Sequence, residues 1–297
     1  MDIGIAGVGR MGAAMAARLM ERGHALTLWN RTGDKLAALA AAGAAIAADP
    51  AELAERAATI ITVLSDRAAL ESVYGGARGL LAGAHGNLFI DMSTVDLETE
   101  VELEHRVRAR GGRFLECPVG GTVGPARAGA LLGVAGGAPA DFAAAKPVLS
   151  ELCRRLEHVG PVGAGSSLKL ALNLPLMIYY QALGESYVLC RHLGLDPAWL
   201  IALLSETSGG PNILRARGGA FAAVLAGGDA GPPTFDLNLM RKDLALMVAE
   251  GRKRGAPLPL TEDTLRICDA AAEHGWGGRD GACLAGYWPS RHRLGER

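Results

Sequence analysis

The chain has 297 residues, 49% hydrophobic and 21% charged, which is enough apolar material for a sizeable core and too long for one ordinary domain. Thirty Lys and Arg stand against 31 Asp and Glu, so the basic surplus needed to hold a nucleic acid by its phosphates is missing. Five dispersed cysteines (Cys117, Cys153, Cys190, Cys268 and Cys283) include no C-x-x-C pair, which argues against a disulfide framework and a zinc site. No secretory leader is read at the start, where Asp2 precedes an apolar stretch that runs straight into glycines, and a cytoplasmic location is expected.

Along the chain, residues 3–6 form a short apolar strand. Residues 10–21 then place Met11, Ala14, Met15, Arg18 and Leu19 at helical spacing, and Gly23 stops the helix. A strand is predicted at 25–29, a helix at 35–42, a strand at 58–64 and a short helix at 68–74. A strand at 88–91, a charged amphipathic helix at 98–110 and a strand at 114–117, halted by Pro118, continue the alternation. Strands at 131–135 and 155–159 flank a helix at 141–152. This alternation predicts an α/β fold, a parallel sheet with helices on both faces.

After residues 160–165 the strand signals stop. Residues 167–193 would form a helix about 40 Å long, apolar nearly all round, enclosed by other helices or a partner subunit and kinked at Pro175. Lys169, Asn173, Pro175, Gln181 and Glu185 interrupt it too often for a membrane span. Helices at 197–205, 213–222, 237–254 and 261–274 follow. The Arg-rich residues 291–297 read as a solvated tail.

The first strand runs into Gly7-Val8-Gly9-Arg10-Met11-Gly12, a G-x-G-x-x-G that opens a helix. Gly7 permits a tight turn, Gly9 lets a pyrophosphate approach the backbone, and Gly12 lets helix and strand pack closely. The helix start offers N–H groups and a partial positive charge to the anion. Its place inside a βαβ unit makes the motif a dinucleotide signature rather than a common glycine turn. At the end of the second strand, where a carboxylate would accept the ribose hydroxyls of NAD, stand Asn30, Arg31 and Thr32, with no carboxylate before Asp34. The Arg31 fork suits a 2′-phosphate, so NADP(H) is expected, with NAD as the alternative. The expected organisation is an N-terminal Rossmann dinucleotide-binding domain over 1–162. An all-helical substrate and oligomerisation domain over 163–297 follows, built on the long inter-domain helix.

Four blocks in order resemble the β-hydroxyacid dehydrogenase family of 3-hydroxyisobutyrate, tartronate-semialdehyde and glyoxylate or succinic-semialdehyde reductases. They are Gly7–Gly12 with Gly23-His24 and Asn30-Arg31-Thr32; Asp91-Met92-Ser93-Thr94; Phe114-Leu115-Glu116-Cys117-Pro118-Val119-Gly120-Gly121; and 163–169 with Asn173. Lys242-Asp243 and Asp280 also fit. The resemblance implies an active site between two domains and a homodimer or homotetramer built around the long helix. It makes Lys169 catalytic with Asn173 beside it at the substrate. Cofactor contacts are expected from Val8, Arg10, Met11, Leu64, Ser65, Thr94 and Lys242. Substrate contacts are expected from Ser93, Gly120, Gly121, Thr122 and Asp243. No metal is implied.

The residues support this independently. Lys169 and Asn173 are four apart on one helix face, both polar intrusions in an apolar helix. A partly desolvated lysine can give a proton to the alkoxide formed when a carbonyl is reduced, and take it back in the oxidative direction. Two departures from the family pattern stand out: Gly120 replaces the serine that helps hold the substrate carboxylate, and Leu97 replaces a proline. A bulkier or differently charged head, such as a sulfonate, is therefore an open alternative. An imine reductase and a non-catalytic NADP-binding protein are the other readings.

Overall fold

The structure, a computed structural model, describes residues 1–292. It forms two compact units, Met1–Lys169 and Leu170–Arg297. The tail expected at 291–297 lies outside the described residues apart from Arg291 and His292.

The first unit contains strands β1 (Asp2–Ala6), β2 (Ala25–Trp29), β3 (Ala45–Ile46), β4 (Thr59–Thr62), β5 (Leu88–Asp91), β6 (Arg113–Glu116), β7 (Val119–Gly120), β8 (Leu131–Gly137) and β9 (Cys153–Gly160). Its helices are α1 (Arg10–Glu21), α2 (Ala37–Ala41), α3 (Pro50–Arg56), α4 (Arg67–Tyr74), α5 (Leu97–Arg108), α6 (Val123–Ala128) and α7 (Pro139–Leu152). A 3₁₀ turn at Gly33–Leu36 opens the segment read as one helix at 35–42. The sheet order is β3-β2-β1-β4-β5-β6-β8-β7, with β9 beside β8, and its first six strands follow the doubly wound dinucleotide-binding order.

Strands β1 to β6 pair in parallel. Strand β8, however, runs antiparallel to β6 and to β7, which corrects the all-parallel expectation. The chain after β6 is spent on the two-residue β7 and the six-residue α6, so no full-length helix carries it back for a parallel return.

Neighbouring residues of each central strand point to opposite faces. Ile61, Ile90 and Leu115 join Met15 and Leu19 of α1 and Val148 of α7 in one buried cluster. Ile60, Phe89 and Phe114 join Leu53 of α3, Tyr74 of α4 and Val107 of α5 in another. Burial on both faces explains why these strands read as continuous apolar runs rather than alternating ones.

Helix α8 (Ala164–Cys190) starts in the first unit and continues into the second, through Pro175 without a break. It begins three residues before the predicted position and ends in a 3₁₀ turn at Arg191–Leu193. It is buried along a stripe of Leu170, Met177, Tyr180 and Leu183, while Leu172 and Leu189 are 46% and 79% exposed in the single chain. Within the single chain, then, other helices cover one stripe of it. Helices α9 (Pro197–Ser205), α10 (Asn212–Leu225), α11 (Leu237–Lys253), α12 (Pro259–Ala271) and α13 (Leu284–Arg291) complete the second unit. Its core packs Leu214 and Phe221 of α10, Met240 and Leu244 of α11 and Ile267 of α12 around the α8 stripe. Among the described residues no helix is long and apolar enough to cross a membrane.

Candidate active site

Strand β1 delivers the chain into the glycine loop. The Gly7 N–H donates to the Trp29 carbonyl at 3.0 Å, and its φ of +98° belongs to the left-handed region. A Cβ on Gly7 would strike the Val63 carbonyl oxygen, and one on Gly12 would strike the Gly7 carbonyl oxygen. Nothing lies within 4 Å of the same position on Gly9. Two glycines are thus required by contact and the third faces open space. The first turn of α1 carries no side-chain cap. Open space over Gly9 and an uncapped helix start fit a dinucleotide pyrophosphate. Val8 is buried in this loop, Met11 half-buried and Arg10 exposed.

Beyond β2, the Asn30 side-chain amide donates to the Thr32 carbonyl at 2.9 Å and shapes the loop. Arg31 is exposed and makes no ion pair among the described residues. At the end of β4 the Leu64 N–H donates to Ser93 Oγ at 2.9 Å, so the structure brings together two residues that the sequence could only name separately. Ser93 is buried, and its hydroxyl donates to Asp91 Oδ1 at 2.9 Å. That proton holds the strand-end loop. Ser65 is exposed and donates to Asp66 at 2.7 Å, and Thr94 is half-buried.

Asp91 closes β5 and faces Glu116, the last residue of β6, across the sheet register. The Thr62 hydroxyl also donates to Asp91, and Tyr74 Oη lies 3.1 Å from Thr62 Oγ1. Glu100 reaches in from α5, and Asp91, Glu100 and Glu116 are all fully buried. Burial pushes the Asp91 carboxyl up, against hydrogen bonds from Glu100, Thr62 and Ser93. Burial, joined by the charges of Asp91 and Glu116, pushes Glu100 well above the carboxylate range. Neither Glu100 oxygen nor Asp91 Oδ2 meets an N–H or hydroxyl donor among the described residues, so two neighbouring negative charges are disfavoured there. Thr62, Tyr74 and Glu100 escaped the sequence reading. Glu100 sits in a helix that looks charged and solvated, and only its position one turn after the Asp96 cap gives a hint of burial.

Glu116 is held differently. Its carboxylate accepts from the N–H groups of Gly163, Gly165 and Ser166 and from Ser166 Oγ at 2.6 Å, all at the start of α8. Lys169 lies one turn further and is buried, the only buried Lys or Arg among the described residues. Gly120 pairs with Leu132 in the β7–β8 ladder, and its Cβ position is 3.6 Å from Leu132, room enough for a small side chain. Gly121 follows at φ +125°, and Thr122 caps α6 without a side-chain bond.

In the second unit, the Asn173 amide donates to Asp243 Oδ2 at 3.4 Å, and Lys242 Nζ lies 3.0 Å from Asp243 Oδ1. Asp243 is buried and binds both of the polar residues expected at the site in this unit. Asp280 anchors a separate network, in which Arg217 Nη1 pairs with it at 2.9 Å while Thr234 and Ala282 donate to it. Burial would raise Asp280, but the Arg217 guanidinium and these donors hold it below its ordinary value. His24, also in the resembling blocks, bonds Glu151 at 2.8 Å and ties down the start of β2. Among the described residues no group of His, Cys, Asp or Glu is arranged to hold a metal ion.

A doubly wound sheet with a glycine loop at its first strand defines a dinucleotide-binding protein. Residues 2–160 match the family model described as the NAD binding domain of 6-phosphogluconate dehydrogenase. Residues 163–288 match the NAD-binding model of NADP-dependent 3-hydroxyisobutyrate dehydrogenase. The chain is 36% identical to 3-hydroxyisobutyrate dehydrogenase of Pseudomonas aeruginosa over 264 residues, 87% of this chain and 88% of the relative. It is 32% identical to glyoxylate/succinic semialdehyde reductase 1 of Arabidopsis thaliana over 261 residues, 88% and 89% of the two chains. The solved structure of Psf3 in complex with NADP+ and 2-OPP superposes with a TM-score of 0.86 at 26% identity, covering 98% of this chain and 100% of that one. The chain belongs to the β-hydroxyacid dehydrogenase family, whose members are NAD(P)-dependent oxidoreductases acting on CH–OH groups.

Proposed function

We propose that the protein interconverts a small β-hydroxyacid and its semialdehyde or keto form with NADP(H), using Lys169 as the proton donor and acceptor. The observation that carries this reading is Lys169 itself, a buried cation four residues from Asn173 on one face of α8. Burying an ammonium is costly unless its surroundings use it, and carbonyl reduction needs a proton on the developing alkoxide. The bound dinucleotide supplies the hydride. Asn173, steadied by Asp243, holds the substrate oxygen, and Lys242 on the same aspartate closes on the cofactor. Thr94 borders the nicotinamide and substrate, while Ser93 fixes the Leu64 loop and presents its remaining lone pair. Gly120, Gly121 and Thr122 surround the substrate head. Exposed Arg31 and the lack of a carboxylate at the β2 end support the NADP preference.

The functional domains are proposed as 1–162 and 163–297. A homodimer or homotetramer is proposed on the exposed Leu189, Leu193, Trp199 and Leu203, which sedimentation would check. Five free cysteines, four of them buried, support a reducing cytoplasm.

The deciding experiment follows NADPH oxidation with small semialdehydes bearing carboxylate, sulfonate or neutral heads, and with cyclic imines. Turnover of at least one acidic semialdehyde is expected, with the preferred head reporting the open place at Gly120. Turnover of imines alone, or NADPH binding without any turnover, would overturn the reading.

A further inference from the structure

At the start of α8, four backbone N–H groups have no partner within the helix, since the first intrahelical bond is Ser167 N–H to the Gly163 carbonyl at 3.0 Å. Ala164 N–H is taken by the Pro161 carbonyl at 3.1 Å. The other three, on Gly163, Gly165 and Ser166, all point at Glu116, and the Ser166 hydroxyl adds a fourth donor. A single carboxylate from a strand 47 residues or more away therefore supplies nearly the whole cap. The surroundings leave room for it. A Cβ on Gly136 would collide with Glu116 Oε1, and one on Gly165 would come within 3.2 Å of the same oxygen. Such complete coordination fixes both the axial position and the rotation of the first helical turn, and an anion there also suits the helix dipole.

We propose that Glu116 is a positioning residue for proton transfer: by clamping the first turn of α8 it sets where Lys169, one turn along, presents its amine. The proposal rests on the reading of Lys169 as the proton donor. An amide in place of the carboxylate still accepts from two N–H groups but turns its NH₂ against Ser166, whose N–H and hydroxyl lose their acceptor. The helix start then shifts or frays, and a displacement of about 1 Å at a reacting group can cost on the order of 100-fold.

The test is a cycle of Glu116→Gln and Lys169→Ala, read by single-turnover NADPH oxidation and by NADPH fluorescence titration. Glu116→Gln is expected to lower the hydride-transfer rate about 30-fold with NADPH affinity within about twofold of the parent. In the Lys169→Ala background it should cost less than about twofold, because the group it positions is gone. Equal losses in both backgrounds, a matching loss of NADPH affinity, or no loss at all would overturn the proposal. If Lys169→Ala itself retains near-native turnover, the lysine assignment falls and this proposal with it. Should Glu116→Gln fail to fold, Ser166→Ala takes its place in the same cycle, removing one donor of four. It should slow the parent about threefold and leave the Lys169→Ala enzyme unchanged, and equal slowing of both counts against the clamp.

Discussion

Two clusters of buried acids, one in each unit, are held by opposite means. In the second, Asp280 sits on Arg217 and Asp243 on Lys242, so each buried carboxylate has a cation. In the first, Asp141 is likewise held by Arg108 and Arg113, but Asp91, Glu100 and Glu116 lie together at strand ends and in α5 with no ion-pairing cation among the described residues. Hydroxyls and backbone N–H groups do what the cations do elsewhere. A cation pair joins two charged side chains, whereas neutral donors fix the loop and helix start that carry them. The same contrast sets opposite signs for the response to pH.

The strongest test of this division is Lys169, the one buried cation at the first unit's edge. Lys169→Ala should lose about 10³-fold in kcat while NADPH affinity, read by fluorescence, stays near the parent value. Comparable loss of both would make the lysine a structural charge like Arg217. The cation-paired side is probed by Arg217→Leu, which leaves Asp280 buried and uncompensated. About 3–5 kcal/mol should be lost in urea unfolding, and adding Asp280→Asn should return part of it. A loss below about 1 kcal/mol would place this pair among the weak surface ones.

Next in size is Arg31→Ala, which should raise KM for NADPH about tenfold and leave KM for NADH unchanged. Parallel changes for both cofactors would remove the 2′-phosphate reading. The smallest effect is in the pH dependence. Glu100 has its folded value raised, so the stability it contributes is full below the unfolded carboxyl range and lost as pH rises through the raised value. Asp280, held low, contributes above the unfolded value and loses that stability only as pH falls. Glu100→Gln keeps the neutral donor, so it should flatten the decline in urea midpoint expected of the parent as pH rises above the ordinary carboxylate range. An unchanged slope would mean that Glu100 is not raised in the folded protein.

Much of the fold was legible because burial on both faces writes strands as apolar runs: 25–29 and 88–91 were read with the bounds that β2 and β5 have. The two-residue β3 and β7 carry no such signal. Helix α3 was missed although Asp49, Pro50 and Glu52 spell its start, with Asp49 accepting from the Glu52 N–H at 2.9 Å. The glycine loop was read residue by residue, since each glycine answers a local need. Glu116 was read as part of a block without a role of its own, and Glu100 as one charge on a wet helix, because their partners lie far along the chain.

The sequence by itself determined the alternation of strand and helix, the glycine loop and the lysine with its asparagine one turn on, all of which follow from spacing within a few residues. Only the tertiary structure decided that β8 runs antiparallel, that Glu116 caps α8 and that Asp91 and Glu100 are buried beside each other. These depend on which distant backbone donors and carboxyls are brought into the same dry space, and local periodicity holds no record of that.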